Sequence, residues 1–204
     1  MEIAGSEVKE RVSDSEDVIY VGEKKHDSSK DFFNPPKNGT LDQIRTELGL
    51  QHGNYVFTQT KTPLGRPKRT YITRGDGNCL FRAIVYALTG LEVEHDVFRQ
   101  MVVTHMKANI KNDMSRYLAQ DVEDYIRQSK MDENRTWGTD PEVLAAAHLI
   151  GIDIMAYTYI EPGDVRWQRF PASLSLESSK TAESIYLDNS SGYHYNVVLS
   201  VDQD

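Results

Sequence analysis

The sequence predicts a mixed α/β (α+β) domain with a small β-sheet. Helical periodicity fills the middle of the chain, strand-like runs follow it toward the C-terminus, and no internal repeat interrupts this order. Helices first and strands afterwards are typical of domains in which helices pack against a limited sheet.

Five helices are predicted from apolar residues that recur every three to four positions. The clearest begins at Cys79, because Asn78 is a favourable N-cap, one face is apolar and Gly90 ends the pattern. Another has Asp140 as its cap and Pro141 in its first turn. The five predicted helices cover residues 41–48, 79–89, 98–105, 114–126 and 143–149.

Strands are predicted where β-branched and aromatic residues cluster between turn residues. The predicted strands cover residues 55–58, 70–73, 152–158, 165–170, 184–187 and 193–201. Residues 61–69 contain two prolines, a glycine and several cations, and are predicted to form a basic loop.

The N-terminal residues differ in composition from the rest of the chain. Residues 1–38 are rich in Ser, Asp, Glu and Lys, and their only apolar run is residues 18–21. Such a composition does not offset the entropy lost on ordering. We therefore expect a disordered acidic tail over residues 1–38 and one folded domain over residues 39–204.

Charge and cysteine content exclude several classes of protein. The net charge of −8 argues against a duplex-binding surface, so no nucleic-acid partner is expected, and the basic loop is interpreted as a solvated turn. No apolar run approaches the roughly 20 residues of a membrane span, so no membrane partner is expected. The single cysteine excludes a disulfide framework and multi-thiolate metal sites. It fits a cytoplasmic and/or nuclear protein.

The strongest local signal is a Gly-rich loop (residues 75–79) that leads into the predicted helix at Cys79. A thiol at a helix N-terminus is favoured as its anion by the macrodipole and the free N–H groups. Gly75 and Gly77 allow successive N–H groups to form a concave nest for an oxyanion. The alternative is a buried structural cysteine, which is common for this residue type.

A nucleophilic cysteine needs a base, and the chain offers six histidines. In the predicted last strand, His194 and Asn196 share one face by period-two alternation, so Asn196 is in place to hold the imidazole. The other histidines are interpreted as solvated or structural: His26, His52, His95, His105 and His148.

Three blocks of residues together resemble the ovarian tumour (OTU) family of cysteine deubiquitinases. They are Gly75-Asp76-Gly77-Asn78-Cys79-Leu80-Phe81-Arg82-Ala83, the block from Trp137 to Ala147 and His194-Tyr195-Asn196, and they follow the family's order over residues 70–200. The resemblance implies a papain-like OTU fold with a small central β-sheet packed between helices.

The resemblance also implies roles for individual residues. Cys79 is the nucleophile, His194 is the general base and then the acid, and residues Gly77 and Asn78 belong to the oxyanion loop. The residue that orients His194 is Asn196 or Asp76; strand geometry favours Asn196, with Asp76 shaping the loop. No metal or other cofactor is implied, because a thiolate already supplies the nucleophile.

By the same resemblance the substrate is ubiquitin, polyubiquitin or a ubiquitin-like protein, cut after the C-terminal glycine. A basic Arg-Gly-Gly tail fits an acidic enzyme and a narrow channel. Tyr193 is either a cover for the sheet or a border of that channel, whereas Trp137 and Glu142 are interpreted as core packing. The alternatives are a catalytically silent ubiquitin-binding module and a redox sensor that uses the lone thiol.

The tail carries a separate motif. Val18, Ile19, Tyr20 and Val21 follow an acidic stretch, and this pattern resembles a SUMO-interacting motif, in which an apolar strand adds to the edge of a partner's sheet. We therefore expect SUMO as a second partner. The alternative is that this apolar run pairs with the domain's own sheet.

Overall fold

A five-stranded sheet forms the centre of the domain. The structure, a computed structural model, describes residues 32–173 and 183–203. Its strands are β1 (Phe32–Phe33), β2 (Thr62–Pro63), β3 (Pro67–Tyr71), β4 (Asp153–Glu161), β5 (Asp164–Phe170), β6 (Ser184–Asn189) and β7 (Asn196–Val201). The main sheet has the order β3-β7-β6-β4-β5, and β1 pairs with β2 apart from it. Only the β4–β6 pair of the main sheet is parallel.

Six helices surround this sheet in the described part of the chain. They are α1 (Asn38–Leu48), α2 (Cys79–Thr89), α3 (His95–Ala108), α4 (Lys111–Leu118), α5 (Val122–Ser129) and α6 (Asp140–Ile150). The single helix predicted over residues 114–126 is wrong, because the chain breaks at Ala119, whose φ is 53°. Asp121 then caps α5 by accepting the N–H groups of Glu123 and Asp124.

Helix α2 is the buried centre of the fold. Ten of its eleven residues are buried, and it packs against β6, β7, α1 and α3. Helix α6 covers β4 and β5 and also contacts α3. The predicted mixed α+β architecture is confirmed, and the residue that begins α2 is held by the most rigidly packed helix of the domain.

Three of the predicted strands differ from the structure. The strand predicted over residues 70–73 is β3 (Pro67–Tyr71), which begins within the predicted basic loop. Residues 55–58 form no strand; the N–H of Thr58 donates one hydrogen bond to Leu199 O (3.2 Å). Strand β7 begins at Asn196, so His194 lies two residues before it, after a turn in which Gly192 has φ 74°. The period-two argument that placed His194 and Asn196 on one strand face therefore does not apply.

Residues just before α1 lie against the domain, although their composition resembles the tail. Phe33 is fully buried, and the Tyr186 hydroxyl accepts from Asn34 N–H (2.7 Å) and donates to Phe32 O (2.8 Å). The folded part thus includes residues 32–38. The apolar run at residues 18–21 lies outside the described residues.

Candidate active site

Cys79 is the first residue of α2, as the sequence predicts. Its side chain is 8% exposed and faces a cleft of about 400 Å³. The N-terminus of a buried eleven-residue helix directs its free N–H groups and its positive end toward the sulfur. The thiol is therefore at the positive end of α2, in a cleft that only a narrow group can enter.

Gly77 gives the Gly-rich loop its shape. Its φ is 86°, in the left-handed region, and a Cβ at this position would lie 2.2 Å from the backbone oxygen of Arg135. Arg135 itself has a positive φ of 69°. Two neighbouring segments are thus held in unusual backbone conformations, which is characteristic of functional sites. Gly75 lies outside the left-handed region, so only one of the two glycines is required for its φ.

Asp76 is bound on the inner side of the same loop. Its carboxylate accepts from Arg82 Nη2 (2.6 Å) and Nε (3.1 Å), and from the backbone N–H of Asn78 (3.1 Å). Arg82 also contacts Glu92 (3.2 Å). The hydrogen bond from Arg82 is the main reason why the pKa of Asp76 lies far below its usual value. Asp76 is therefore an ionised anchor of the loop.

Asn78 does not cap α2 with its side chain, contrary to the prediction. Its Oδ1 accepts instead from Arg99 Nη2 (2.9 Å) and from the backbone N–H of Arg135 (2.9 Å). The side chain is 2% exposed. It thus ties the residue before the cysteine to α3 and to the segment that precedes α6.

Arg99 is a buried cation beside the Gly-rich loop that the sequence analysis missed. It is 1% exposed, its guanidinium lies 4.1 Å from the centre of the Phe81 ring, and it donates to Asn78 Oδ1, Thr136 O and Met131 O. Burial lowers the pKa of Arg99 to about 10, against the attraction of Glu142 and of the Cys79 thiolate. Arg99 remains charged at neutral pH and lies in the field of the thiolate.

His194 lies against the Gly-rich loop. A Cβ on Gly75 would be 3.7 Å from His194 Cε1 and 3.9 Å from Nδ1. The opposite ring nitrogen, Nε2, lies 3.1 Å from Thr73 O and 3.2 Å from Thr73 Oγ1. Although they are distant in sequence, the imidazole and the loop that carries the thiol thus meet at one end of the sheet.

Asn196 does not contact the imidazole by a hydrogen bond in the described part of the structure. Its Oδ1 accepts from the backbone N–H of Thr73 (3.2 Å). Thr73 also donates its hydroxyl to Tyr195 O (2.6 Å). The expected direct contact between Asn196 and His194 is replaced by one that passes through Thr73, because His194 precedes the strand that carries Asn196.

The cleft around Cys79 has aromatic walls. Trp137 is 59% exposed and Tyr193 is 74% exposed, and both line it together with Tyr159 and Asp140. Core packing was expected for Trp137, and that expectation is wrong. Its neighbour Gly138 packs closely against the core instead, since a Cβ there would lie 2.5 Å from Leu80 Cδ2. Tyr193 borders the groove, one of its two predicted positions.

Glu142 lies in the first turn of α6, two residues after the cleft residue Asp140. It is fully buried and accepts from Thr139 N–H (2.8 Å) and from the Tyr125 hydroxyl (2.9 Å), forming a capping box. Burial raises the pKa of Glu142, and burial also raises that of Asp140, which lines the cleft. Two carboxyl groups thus surround the site in a partly apolar setting.

The remaining predicted groups lie elsewhere. His105 Nε2 and His148 Nδ1 form a pair at 2.8 Å between α3 and α6, and His52 is exposed beside Asp42. His26 lies outside the described residues. Among the residues that the structure describes, no cluster of three or more His, Cys, Asp or Glu is arranged to bind a metal ion. None of the helices described is long and apolar enough to cross a membrane.

Some known proteins have sequences similar to part of this chain. A curated relative from Arabidopsis thaliana, OVARIAN TUMOR DOMAIN-containing deubiquitinating enzyme 7, is 34% identical over 127 residues, which are 61% of this chain and 31% of the relative. Enzyme 6 of the same series and plant is 28% identical over 125 residues, 61% of this chain and 23% of the relative. The chain therefore spans less than a third of these two relatives.

Solved structures share the fold. The OTU domain of OTUD1 matches with a TM-score of 0.53 and 24% identity, over 63% of this chain and 83% of that one. The viral OTU domain protease from Dera Ghazi Khan virus matches with a TM-score of 0.50 and 19% identity, over 63% and 78%. A family model described as OTU-like cysteine protease covers residues 74–195. The chain belongs to the OTU-like cysteine protease family.

Proposed function

We propose that this protein is a deubiquitinase, a cysteine-type ubiquitinyl hydrolase that cuts the isopeptide bond after the C-terminal glycine of ubiquitin or a ubiquitin-like protein. The observation that carries the proposal is the imidazole of His194 lying against the loop that ends in Cys79 at a helix N-terminus. Family membership and the printed names of the curated relatives support it.

The geometry supports a two-stage acyl transfer. The Cys79 thiol gives its proton to His194, and the sulfur attacks the carbonyl carbon of the terminal glycine. The backbone N–H groups of Gly77 and Cys79 stabilise the oxyanion, since that of Asn78 already donates to Asp76. The imidazolium returns the proton to the departing lysine amine, which leaves a thioester. Water, deprotonated by His194, then hydrolyses the thioester and regenerates the thiol.

The walls of the cleft suit a thin, basic chain terminus. Flat aromatic faces of Trp137 and Tyr193 border the entrance to Cys79, and a terminal Gly-Gly has no side chains to clash with them. Asp140 and the net charge of −8 favour an approaching arginine. We propose that this cleft receives the ubiquitin tail.

The decisive experiment uses ubiquitin that bears a C-terminal electrophile. Wild type is expected to form a covalent adduct, Cys79→Ala none, and His194→Ala an adduct at a rate lower by at least about 100-fold. The control His52→Ala removes an exposed histidine far from the cleft and leaves labelling unchanged. Labelling of the Cys79→Ala variant would overturn the site assignment.

A catalytically silent ubiquitin-binding module is distinguished by turnover. The deubiquitinase is expected to release monoubiquitin from diubiquitins, and the Cys79→Ala variant to bind without release. Saturable binding of ubiquitin to wild type with neither adduct nor turnover would establish the silent module instead.

We also propose, from the sequence pattern alone, that Val18, Ile19, Tyr20 and Val21 bind SUMO and that the protein is cytoplasmic and/or nuclear. A peptide of residues 10–25 titrated with SUMO is expected to saturate, whereas a flat titration would discard the motif. Fluorescence microscopy of the tagged full chain checks the location; signal confined to membranes or to the medium would contradict it.

A further inference from the structure

We propose that Thr73 is the positioning residue that fixes the tautomer of His194, and that Asn196 acts through Thr73 instead of on the imidazole. The inference rests on the proposed function for the role of His194 as the base. It concerns a buried threonine outside all three sequence blocks, 3% exposed and six positions before the nucleophile.

The sheet register brings these residues together. Strands β3 and β7 are antiparallel, with Thr70 opposite Val198 and Tyr71 opposite Val197. Continuing the register by two residues beyond β3 places Thr73 opposite Tyr195. Thr73 is therefore directly across from the residue between His194 and Asn196, and it reaches both.

The hydrogen bonds determine which imidazole nitrogen carries the proton. The Thr73 hydroxyl hydrogen is committed to Tyr195 O at 2.6 Å, so Oγ1 presents only lone pairs to the ring. Thr73 O is a carbonyl and can only accept. Both oxygens lie within 3.2 Å of His194 Nε2, so Nε2 must be the donor. The neutral ring therefore carries its proton on Nε2.

This tautomer leaves the other nitrogen as the base. Nδ1 is on the ring edge that faces Gly75, at 3.9 Å from where its Cβ would be, and Gly75 begins the loop that ends in Cys79. Its lone pair is thus on the side of the ring where the Gly-rich loop lies. In the proposed mechanism this nitrogen receives the proton of Cys79. The opposite tautomer would put a hydrogen on Nδ1 and two acceptors against the lone pair of Nε2.

Asn196 holds the threonine in place. Its Oδ1 accepts the backbone N–H of Thr73 at 3.2 Å, just after β3 has ended and regular ladder bonds are no longer available. Without that bond the segment that carries the carbonyl acceptor is free to shift. Asn196 is therefore a positioning residue that acts on the imidazole indirectly, through Thr73.

The test is the ¹⁵N spectrum of the histidine rings in the full-length protein at pH 8, together with the rate of labelling by the ubiquitin electrophile. A His194→Gln variant identifies the His194 signals. Wild type is expected to show the Nε2–H tautomer. Thr73→Val keeps the carbonyl acceptor but loses the hydroxyl, both as an acceptor for Nε2 and as the donor that ties Thr73 to Tyr195 O. It is therefore expected to show a mixture of tautomers and about tenfold slower labelling. Thr73→Ser is expected to recover the wild-type tautomer and a labelling rate within about threefold of wild type.

A matched control is Thr89→Val. Thr89 is also buried and donates its hydroxyl to a backbone carbonyl, Val85 O (2.8 Å), but at the end of α2 remote from Cys79. Its removal is expected to lower stability without moving the His194 signals. Asn196→Asp keeps an acceptor for Thr73 N–H and is expected to preserve the tautomer, whereas Asn196→Ala is not.

An Nδ1–H tautomer in wild type would overturn the proposal, and this result needs no variant to fold. An unchanged tautomer and labelling rate in Thr73→Val would overturn it too, since the Thr73 side chain would then not position the imidazole. The spectrum requires no ubiquitin. An Nε2–H tautomer in a protein that does not react with the electrophile would contradict the proposed function and leave the assignment of Thr73 in place.

Discussion

The two sides of the candidate site are held by different kinds of interaction. The Gly-rich loop on the cysteine side is fixed by ions: Asp76 is paired with Arg82, and Arg99 donates to Asn78. On the histidine side, the groups that hydrogen-bond the imidazole are neutral, the carbonyl and hydroxyl of Thr73. The loop is held by groups that keep their charge, whereas in the proposed mechanism the imidazole gains and then loses a proton.

This difference has a physical reason. The hydrogen bond from Arg82 lowers the pKa of Asp76, so the ion pair persists across the physiological range and the Gly-rich loop keeps its shape. A carboxylate bound to His194 would favour the imidazolium and oppose return of the proton. Neutral acceptors orient the ring without that bias, so they leave both proton transfers accessible.

The largest expected effect comes from breaking the shape of the loop. Gly77→Ala places a side chain at φ 86° and only 2.2 Å from Arg135 O. The left-handed conformation alone costs about 1–2 kcal/mol, and the overlap forces the loop to move. We expect labelling by the ubiquitin electrophile to fall at least about 100-fold.

The control is Gly151→Ala at the end of α6, where φ is 72° but nothing lies within 4 Å of the added carbon. It is expected to lose about 1 kcal/mol of stability and no labelling rate. Equal labelling of the two variants would show that loop shape is unimportant.

The next largest effect is expected when the buried cation, Arg99, is removed. Arg99→Met removes the donor to Asn78 Oδ1, and we expect labelling about tenfold slower with a stability loss of about 1–3 kcal/mol. Arg45→Met is the matched control, because Arg45 is 2% exposed and donates to Leu88 O away from the cleft. A comparable stability loss without slower labelling is expected there. If both variants label at the same rate per folded molecule, Arg99 is purely structural.

A smaller effect is expected from Asp76→Asn, which keeps the shape of the side chain but removes its charge. Labelling should slow by about threefold, since Arg82 loses its carboxylate partner. Because the folded pKa of Asp76 is depressed, its contribution to stability is present above about pH 4 and is lost as the pH falls further. Melting curves should therefore show a shallower acid loss in the variant than in wild type.

The exposed pair Asp164–Arg166 (3.6 Å) supplies the control: Asp164→Asn should change neither measurement. If Asp76→Asn slows labelling as much as His194→Ala does, Asp76 orients the histidine and the contrast between the two sides fails.

The smallest effect is expected at a pair of histidines outside the candidate site. Burial lowers the pKa values of His105 and His148, so the neutral pair stabilises the fold above about pH 6.5 and the stability is lost as the pH falls. His148→Gln should reduce the drop in Tm between pH 7 and pH 5 by about 2 °C, measured by calorimetry. Labelling at pH 7 should stay unchanged. A larger acid loss in the variant would reverse the sign of this argument.

The predicted elements that were right have local signals. Helix α2 is marked by its apolar face and by Gly90, and α6 by Pro141 and the polar residues before it. The break between α4 and α5 is marked only by the capping residue Asp121, because the left-handed residue there is Ala119. Tertiary packing, which sequence periodicity does not contain, determines that conformation.

The residues of the candidate site also differ in whether a local sequence signal marks them. Cys79 and His194 are predicted site residues because motifs surround them, whereas Thr73 reaches His194 only through the register of β3 and β7. Arg99 had a usable signal: it shares the buried face of α3 with Val102 and Met106, at spacings of three and seven. A cation at such a core position is rare without a specific partner.

The exposed indole at the cleft also has an optical consequence. The chain has two tryptophans: Trp137 is open to solvent beside Cys79, while the indole N–H of Trp167 donates to Gly65 O and its ring meets Tyr186 edge-on. A soluble quencher such as iodide therefore reaches Trp137 more readily than the partly buried Trp167. A molecule that enters the cleft shields that one emitter, so the protein reports occupancy of the cleft without any added dye.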